Sequence, residues 1–146
     1  MTFEELLLQL GPKLGIEALK VNEQGQCPLA FNNKYQLFLE KGTEDGACYV
    51  YGALCPIPQH GRLELYDLLM GSQLMGVATG GGSFASSPQL GRVLMYRVFD
   101  LNESSFEAFL KAFEKFLNAY ARWVDSLEKS FKANPPTDQP SGITQV

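Results

Sequence analysis

Histidine is nearly absent from this sequence and cysteine is scarce, which removes most of the usual metal-binding and catalytic chemistry. His60 is the single histidine, and Cys27, Cys48 and Cys55 form no Cys-x-x-Cys pair. A structural zinc ion needs four close ligands, so this set indicates no metal site. Each cysteine lies in an apolar, strand-like stretch, which favours a reduced, buried thiol over a Cys–His nucleophile pair. Because no Ser-His-Asp signature or spaced carboxylate pair stands out either, we expect no enzyme and no cofactor.

Positive charge and long apolar runs are also in short supply. The chain has 12 Lys and Arg against 16 Asp and Glu, a net charge of −4 and a pI near 5.0. A nucleic-acid-binding protein needs a basic stripe, which this balance does not supply. Charges or glycines interrupt every apolar run, so no membrane span is predicted. The first residues, Met-Thr-Phe-Glu-Glu, lack the basic flank of a signal peptide, and we therefore expect a cytoplasmic protein.

The glycine-rich stretch at residues 79–85, Thr-Gly-Gly-Gly-Ser-Phe-Ala, lacks the features of a phosphate-binding loop. A Walker loop needs Lys followed by Ser or Thr after its last glycine, whereas Ser83-Phe84 follows here and Pro88 stops helix propagation. A dinucleotide fingerprint needs a strand before the glycines and a helix after them, and this order is reversed. The stretch is therefore interpreted as a flexible joint between a helix and a strand.

The composition that remains is that of one globular domain. Hydrophobic residues make up 45% and charged residues 19% of the 146 positions, and a chain of this length builds a single core. The patterns predict a helix, three strands, a helix, two strands, a helix and a tail. Thr2 and Glu5 form a capping box at the first helix. Gly11-Pro12 is expected to bend or end that helix, and Gly15 to terminate it.

Runs rich in aromatic and β-branched residues predict three strands in the first half of the chain. Asn32-Asn33 is typical of a two-residue hairpin loop between the first two strands. Pro28 cannot donate a hydrogen bond to a neighbouring strand, which places the first strand at an edge of the sheet. The three strands cover residues 27–31, 35–40 and 47–57.

The second half of the chain combines an unusually apolar helix with an aromatic one. The middle helix, over residues 63–75, is apolar around so much of its circumference that more than one side must be covered, in part by a second subunit. The last helix begins near Asn102 and carries an aromatic stripe at heptad-like spacing, which indicates core packing. Residues 131–146 are polar and proline-rich, which predicts a disordered tail behind a folded domain of residues 1–130.

In order and in local sequence, these segments resemble the class I type III secretion chaperones, the Tir chaperone-like proteins that hold effectors for export. The resemblance covers about residues 1–130. Its most specific part is Leu68-Leu69, followed by the triple glycine with Phe84-Ala85 and then by the Trp-bearing helix. The remaining matches lie at residues 3–10, 14–15, 22–29, 35–40, 91–94 and 116–123.

The resemblance implies an α+β fold with the order α-β-β-β-α-β-β-α, a sandwich of three helices on a twisted antiparallel sheet that pairs into a two-fold dimer. It implies that the N-terminal segment of a secreted effector is held in non-globular form, laying apolar side chains into grooves and adding a strand to an exposed edge. That edge is the strand at residues 27–31. The partners implied are secreted effectors, a second copy or a related chaperone subunit, and the secretion ATPase, without nucleic acid or membrane insertion.

The same analogy assigns residues to two surfaces. The dimer seam is expected on apolar side chains of the middle helix and the strands after it. They are Leu65, Leu68, Leu69, Leu74, Val93 and Met95. Effector binding is expected on apolar side chains of the first helix and first hairpin, with ordinary core packing as the alternative. They are Phe3, Leu7, Leu10, Leu29, Phe31, Tyr35 and Leu37.

Two other interpretations stay open at this point. One is a heterodimeric chaperone or regulatory subunit of the same secretion system. The other is a small α/β carrier of a lipid or another apolar ligand, without any secreted client. The strand pattern between residues 27 and 57 argues against the all-helical chaperones of translocator proteins. A stable complex with an unfolded effector segment would distinguish the chaperone from the carrier.

Overall fold

The computed structural model describes residues 1–131 and 142–146, and it confirms the predicted element order and the α+β class. Two of the boundary predictions were inaccurate. The last helix begins after Ser105 rather than near Asn102, because the Ser105 hydroxyl accepts from the Ala108 amide at 3.2 Å and caps the helix. The middle helix ends at Ser72 rather than at Met75. The elements are α1 (Phe3–Lys13), β1 (Gln26–Phe31), β2 (Tyr35–Lys41), β3 (Ala47–Pro56), α2 (Arg62–Ser72), a 3₁₀ turn (Leu74–Gly76), β4 (Ser83–Ser87), β5 (Arg92–Asp100), α3 (Phe106–Phe131) and β6 (Thr144–Gln145).

The first helix begins as the capping box predicts and stops just before Gly15, as expected, although Pro12 does not end it. The Glu5 amide donates to Thr2 Oγ1 at 3.1 Å, and the Thr2 amide donates to Glu5 Oε2 at 2.9 Å. The helix continues through Pro12 to Lys13. It ends before Gly15, whose φ of 77° is left-handed.

All the strands belong to one sheet with the order β4-β5-β3-β2-β1-β6. β1 to β5 pair with their neighbours in antiparallel fashion, and β6 pairs in parallel with β1. The β1–β2 hairpin turns at Asn32 and Asn33, whose φ values of 53° and 57° are those that this hairpin turn needs. Because β1 ends at Phe31 and β2 begins at Tyr35, the loop also includes Lys34. The Lys34 amide donates to the Phe31 carbonyl at 3.1 Å.

One hydrophobic core lies between the helices and one face of the sheet. The aromatic stripe of α3 is central to it, since Phe109, Phe113 and Phe116 are almost fully buried. Phe109 and Phe113 stack with ring centroids 5.8 Å apart. Gly52 in β3 permits a close approach of α3, because a β-carbon there would lie 2.7 Å from the Tyr120 ring. The core therefore fixes α3 across the centre of the sheet.

The triple glycine joins α2 to β4, as predicted, but it is a hydrogen-bonded turn packed on α3 rather than a flexible joint. Thr79 is fully buried, and its hydroxyl donates to the Gly82 carbonyl at 2.7 Å. Arg97 Nη1 donates to the Gly80 carbonyl at 2.9 Å, and the Trp123 indole donates to the carbonyl of Ala78 at 2.9 Å. These bonds tie the turn to both β5 and α3.

The predicted disordered tail, residues 131–146, falls mainly on residues 132–141, which lie outside the described part of the chain. Its last residues differ from the expectation, because Thr144 and Gln145 form β6 against β1. The physical reason is that the outer edge of β1 presents backbone groups that an extended segment can pair with, whatever the composition of the residues before it.

Candidate binding surfaces

Most of the residues predicted to form the dimer seam lie inside the single chain. Leu65, Leu69, Val93 and Met95 are at most 3% exposed, because α2 packs this side onto β5 and the core. Only Leu68 and Leu74 are exposed, at 47% and 71%. The predicted seam is therefore corrected: four of its six side chains have no surface to offer a partner.

The exposed apolar side chains near α2 instead form what we call the α2 strip. Because apolar residues occupy most of the circumference of this helix, its sequence alone did not show which side chains face the core, and the prediction combined buried with exposed leucines. Six large apolar side chains that are exposed within one short part of the chain point to an interaction site. The strip consists of Leu63, Leu68, Met70, Leu74, Met75 and Val77, which are between 47% and 87% exposed.

Met75 is the most exposed member of the strip and has an unusual backbone. Its φ of 62° is left-handed, a conformation that costs a non-glycine residue about 1–2 kcal/mol. The side chain is 87% exposed, so its own packing within the chain does not offset that cost. A strained residue that presents an apolar side chain to solvent points to a functional contact.

The residues predicted to bind an effector are also mostly core. Phe3, Leu7 and Leu10 of α1 are buried at 8% exposure or less, and their outward neighbour Leu8 is 75% exposed. Of the predicted hairpin residues, only Tyr35 is half-buried and reaches the surface. These side chains therefore fit the alternative of ordinary core packing. The hairpin members that are buried in the core are Leu29, Phe31 and Leu37.

The sheet face opposite the core carries aromatic side chains that the sequence analysis did not single out. Phe38 of β2 and Tyr51 of β3 stack at a centroid distance of 5.2 Å, and Tyr51 is in register with Tyr96 of β5. Tyr96 and Val98 are 38% and 54% exposed. The signal was available in the sequence, because alternate residues of a strand face opposite sides of the sheet.

The cysteines and the histidine offer no reactive group. Burial raises the pKa of the Cys27 and Cys55 thiols to about 11 and that of Cys48 to about 12. Thiols with such pKa values are protonated near neutral pH and are weak nucleophiles. His60 is exposed in the bend before α2. Within residues 1–131 and 142–146, no group of three or more His, Cys, Asp or Glu residues could hold a metal ion.

A polar cluster ties the β1–β2 hairpin to α3. Lys34 Nζ lies 2.7 Å from Asp125 Oδ1 and 3.0 Å from Glu128 Oε2. The Tyr35 hydroxyl donates to Asp125 Oδ2 at 2.8 Å. The hydrogen bonds from Lys34 and Tyr35 lower the pKa of the Asp125 carboxyl. The cluster fixes the end of the hairpin and with it the position of the β1 edge.

Replacing Asp125 by asparagine is expected to reduce the loss of folding stability at acid pH. The pKa of Asp125 lies below its ordinary value of 3.8 in the folded chain. Its contribution to stability is therefore present above pH 3.8 and is lost as the pH falls through the lower folded value. Urea unfolding at about pH 5 and about pH 2.5 should show a smaller loss for Asp125→Asn than for the native chain. The exposed Asp67 of α2 supplies the control, Asp67→Asn; equal losses in the two variants would contradict the role of the cluster.

Two open cavities flank these surfaces. One, of about 190 Å³, lies between α2 and β4 and is lined by Tyr66, Leu69, Met70 and Phe84 among others. The other, of about 220 Å³, lies at the start of α1 and is lined in part by Glu5, Lys41 and Asp45. Both are below the range of roughly 300–1,000 Å³ typical of small-molecule sites.

Among residues 1–131 and 142–146, none of the helices combines the length and the apolar character that a membrane span requires.

Solved structures share this fold at low sequence identity. A chain of the HopA1–SchA chaperone–effector complex aligns with a TM-score of 0.67 at 16% identity, over 84% of this chain and 93% of that one. A chain of the ExsC–ExsE complex aligns with a TM-score of 0.65 at 16% identity, over 86% and 96%. The Yersinia pestis type III secretion chaperone SycH, solved with a stable fragment of YscM2, gives 0.63 at 16% identity, over 84% and 99%.

The sequence comparisons give the family directly. No curated protein matches the chain. The family model of the Tir chaperone proteins, however, matches residues 5–124, which include most of α1, every element from β1 to β5 and most of α3. The resemblance to class I type III secretion chaperones is thereby confirmed. The chain belongs to the Tir chaperone protein (CesT) family.

Proposed function

We propose that this protein is a cytoplasmic type III secretion chaperone that holds the N-terminal segment of a secreted effector in a non-globular, export-competent form. Membership of the Tir chaperone family carries the proposal. The solved structures that share its fold include a chaperone–effector complex, HopA1–SchA. The described residues present apolar side chains and a sheet edge at the surface, and the proposed role is binding without catalysis.

The client contact is proposed at the β1 end of the sheet. An extended segment adds a strand along the outer edge of β1, where backbone hydrogen bonds provide affinity without requiring one sequence. Tyr35 and Phe38 lie on β2, the strand next to β1, and Tyr51 of β3 stacks on Phe38. These rings supply apolar surface to alternate side chains of the client. The net charge of −4 suits basic stretches of a client.

A second copy is the proposed partner of the α2 strip. The family resemblance places pairing at the middle helix, and the exposed side chains there are methionine, leucine and valine without an intervening charge at residues 74–78. A two-fold axis would bring the strip of one protomer onto that of the other. A related chaperone subunit with the same strip fits this surface equally well, and the secretion ATPase is a further proposed partner of the assembled chaperone.

The apolar-ligand carrier remains the alternative, and the cavity between α2 and β4 is the observation that favours it. That cavity is lined largely by apolar residues, although its volume of about 190 Å³ is small for a lipid. Extraction of the purified protein with organic solvent, followed by mass spectrometry, tests this function. A stoichiometric lipid would support the carrier over the chaperone.

Co-expression with the N-terminal segment of an effector encoded beside this chain tests the chaperone function. We expect a stable complex of defined stoichiometry in size-exclusion chromatography with light scattering, and protection of the segment from protease only when the chaperone is present. A segment of the same composition in scrambled order is the control for nonspecific binding of unfolded peptides. Failure of all neighbouring effector segments to form a complex would refute the proposed function.

A further inference from the structure

The outer edge of β1 is already occupied by the chain itself. Thr144 and Gln145 pair in parallel with Leu29 and Ala30. Beyond them, the Val146 amide donates to the Ala30 carbonyl at 2.6 Å. This is the edge at which the proposed function places a client strand, and β6 makes the backbone contact that such a strand would need.

Only a few backbone groups along the outer edge of β1 are available to a further strand, and β6 pairs with them. The backbone groups of alternate strand residues point to the same side, so Gln26 and Pro28 face outward together with Ala30. The Gln26 amide donates to Asn22 Oδ1 at 3.0 Å, and its carbonyl accepts from the Asn22 amide at 2.8 Å. Pro28 has no amide hydrogen. The outward groups left for an added strand are therefore the Pro28 carbonyl and the amide and carbonyl of Ala30, and the Val146 amide binds the Ala30 carbonyl.

The pairing of β6 with β1 is short. The strand has only two residues, Thr144 and Gln145, and Gln145 is exposed while Thr144 is half-buried. The Val146 side chain is 39% exposed. Ile143 is half-buried as well, but a two-residue pairing with few backbone hydrogen bonds opens readily by local fluctuation.

We propose that residues 142–146, here called the terminal segment, are a built-in and displaceable ligand of the β1 edge. A client strand binds by replacing the terminal segment, so the apparent affinity for the client is reduced by the fraction of time that the edge is covered. Between clients, the terminal segment shields the edge from pairing with other chains. The identity of the client rests on the proposed function, whereas the occupancy of the edge does not.

Two proline variants of the full chain test the pairing itself. Val146→Pro removes the amide that donates to Ala30, whereas the Gln145 amide points away from β1 by strand alternation, so Gln145→Pro is the matched control. Hydrogen–deuterium exchange should accelerate at least about threefold at the Ala30 amide in Val146→Pro and stay unchanged in Gln145→Pro. Equal exchange in the two variants overturns the proposal.

A peptide probe tests whether the edge accepts a strand in trans. The probe is an acetylated copy of the terminal segment, Gly-Ile-Thr-Gln-Val, titrated into Val146→Pro and into the native chain while the amide resonances of β1 are followed by NMR. Binding should be at least about fivefold tighter to Val146→Pro. Equal binding to both, or binding that shifts no β1 resonance, contradicts a displaceable occupant.

The effector segment supplies the last measurement and separates the two proposals. Its affinity should rise about threefold to tenfold in Val146→Pro and stay unchanged in Gln145→Pro. Equal affinity for all forms overturns the competition and leaves the chaperone function intact. If no effector segment binds any form, the chaperone function fails, and the exchange and peptide measurements still decide the occupancy of the edge.

Discussion

Replacing Gly80 by alanine is expected to cost about 3 kcal/mol or more of folding stability. Two effects add. The φ of 58° at Gly80 is left-handed, which an alanine adopts at a cost of about 1–2 kcal/mol. A β-carbon there would also lie 2.5 Å from the Lys115 carbonyl oxygen and 2.9 Å from the Phe116 α-carbon. Because these are backbone atoms of α3, no rotation of a side chain relieves the overlap.

Gly71→Ala is the matched control for this substitution. Gly71 lies in α2 with no atom within 4 Å of the position of its β-carbon, so alanine should stabilise the helix by about 0.5–1 kcal/mol. Urea unfolding followed by circular dichroism measures both variants. If Gly80→Ala and Gly71→Ala shift the midpoint in the same direction, the glycine turn is not pressed against α3 as the structure places it.

The order of elements was predictable because its signals are local. The capping box at Thr2 and Glu5, the left-handed asparagines of the first hairpin and the aromatic spacing of α3 each depend on residues within a few positions of one another. The same holds for the glycine turn as a connection. Its rigidity did not follow, since the bonds from Arg97 and Trp123 come from elements that are distant in sequence.

The choice between core and surface could not be made from local pattern alone. In α2, Leu65 and Leu69 are buried while Leu68 and Met70 are exposed, yet all are equally apolar. Which of them faces inward depends on how the helix docks beside β5. In α1 the stripe correctly marked a single face, and that face is the core rather than a groove. The apolar stripe of an amphipathic helix cannot distinguish these two roles, because both bury apolar side chains.

The β6 pairing was beyond prediction for a different reason. Composition indicates whether a segment can build a core of its own, and residues 131–146 cannot. It does not indicate whether a few of those residues will complete an edge supplied by the rest of the fold. Pro28 predicted β1 at an edge of the sheet, whereas β1 is the second strand because β6 pairs outside it. The same proline leaves one amide fewer for an added strand.

The second large effect is expected at Met75, where aspartate should dissociate the proposed dimer. Burying an unpaired carboxylate in an apolar interface costs about 3 kcal/mol or more, and a two-fold axis places the change in both protomers. The dissociation constant of the dimer should therefore rise at least roughly a hundredfold. Light scattering across a concentration series measures this shift.

The backbone conformation at Met75 lets this substitution change dimerisation without destabilising the isolated protomer. Its φ of 62° is a conformation that aspartate tolerates better than methionine does, so the isolated protomer should not lose stability. Leu8→Asp is the control, because Leu8 is similarly exposed, at 75%, but lies on α1 outside the strip. A native chain that is monomeric at micromolar concentration, or two variants that dissociate equally, would remove the α2 strip as the dimer contact. If Met75→Asp alone is monomeric yet fully folded, the strain at Met75 is explained by the partner that its side chain contacts.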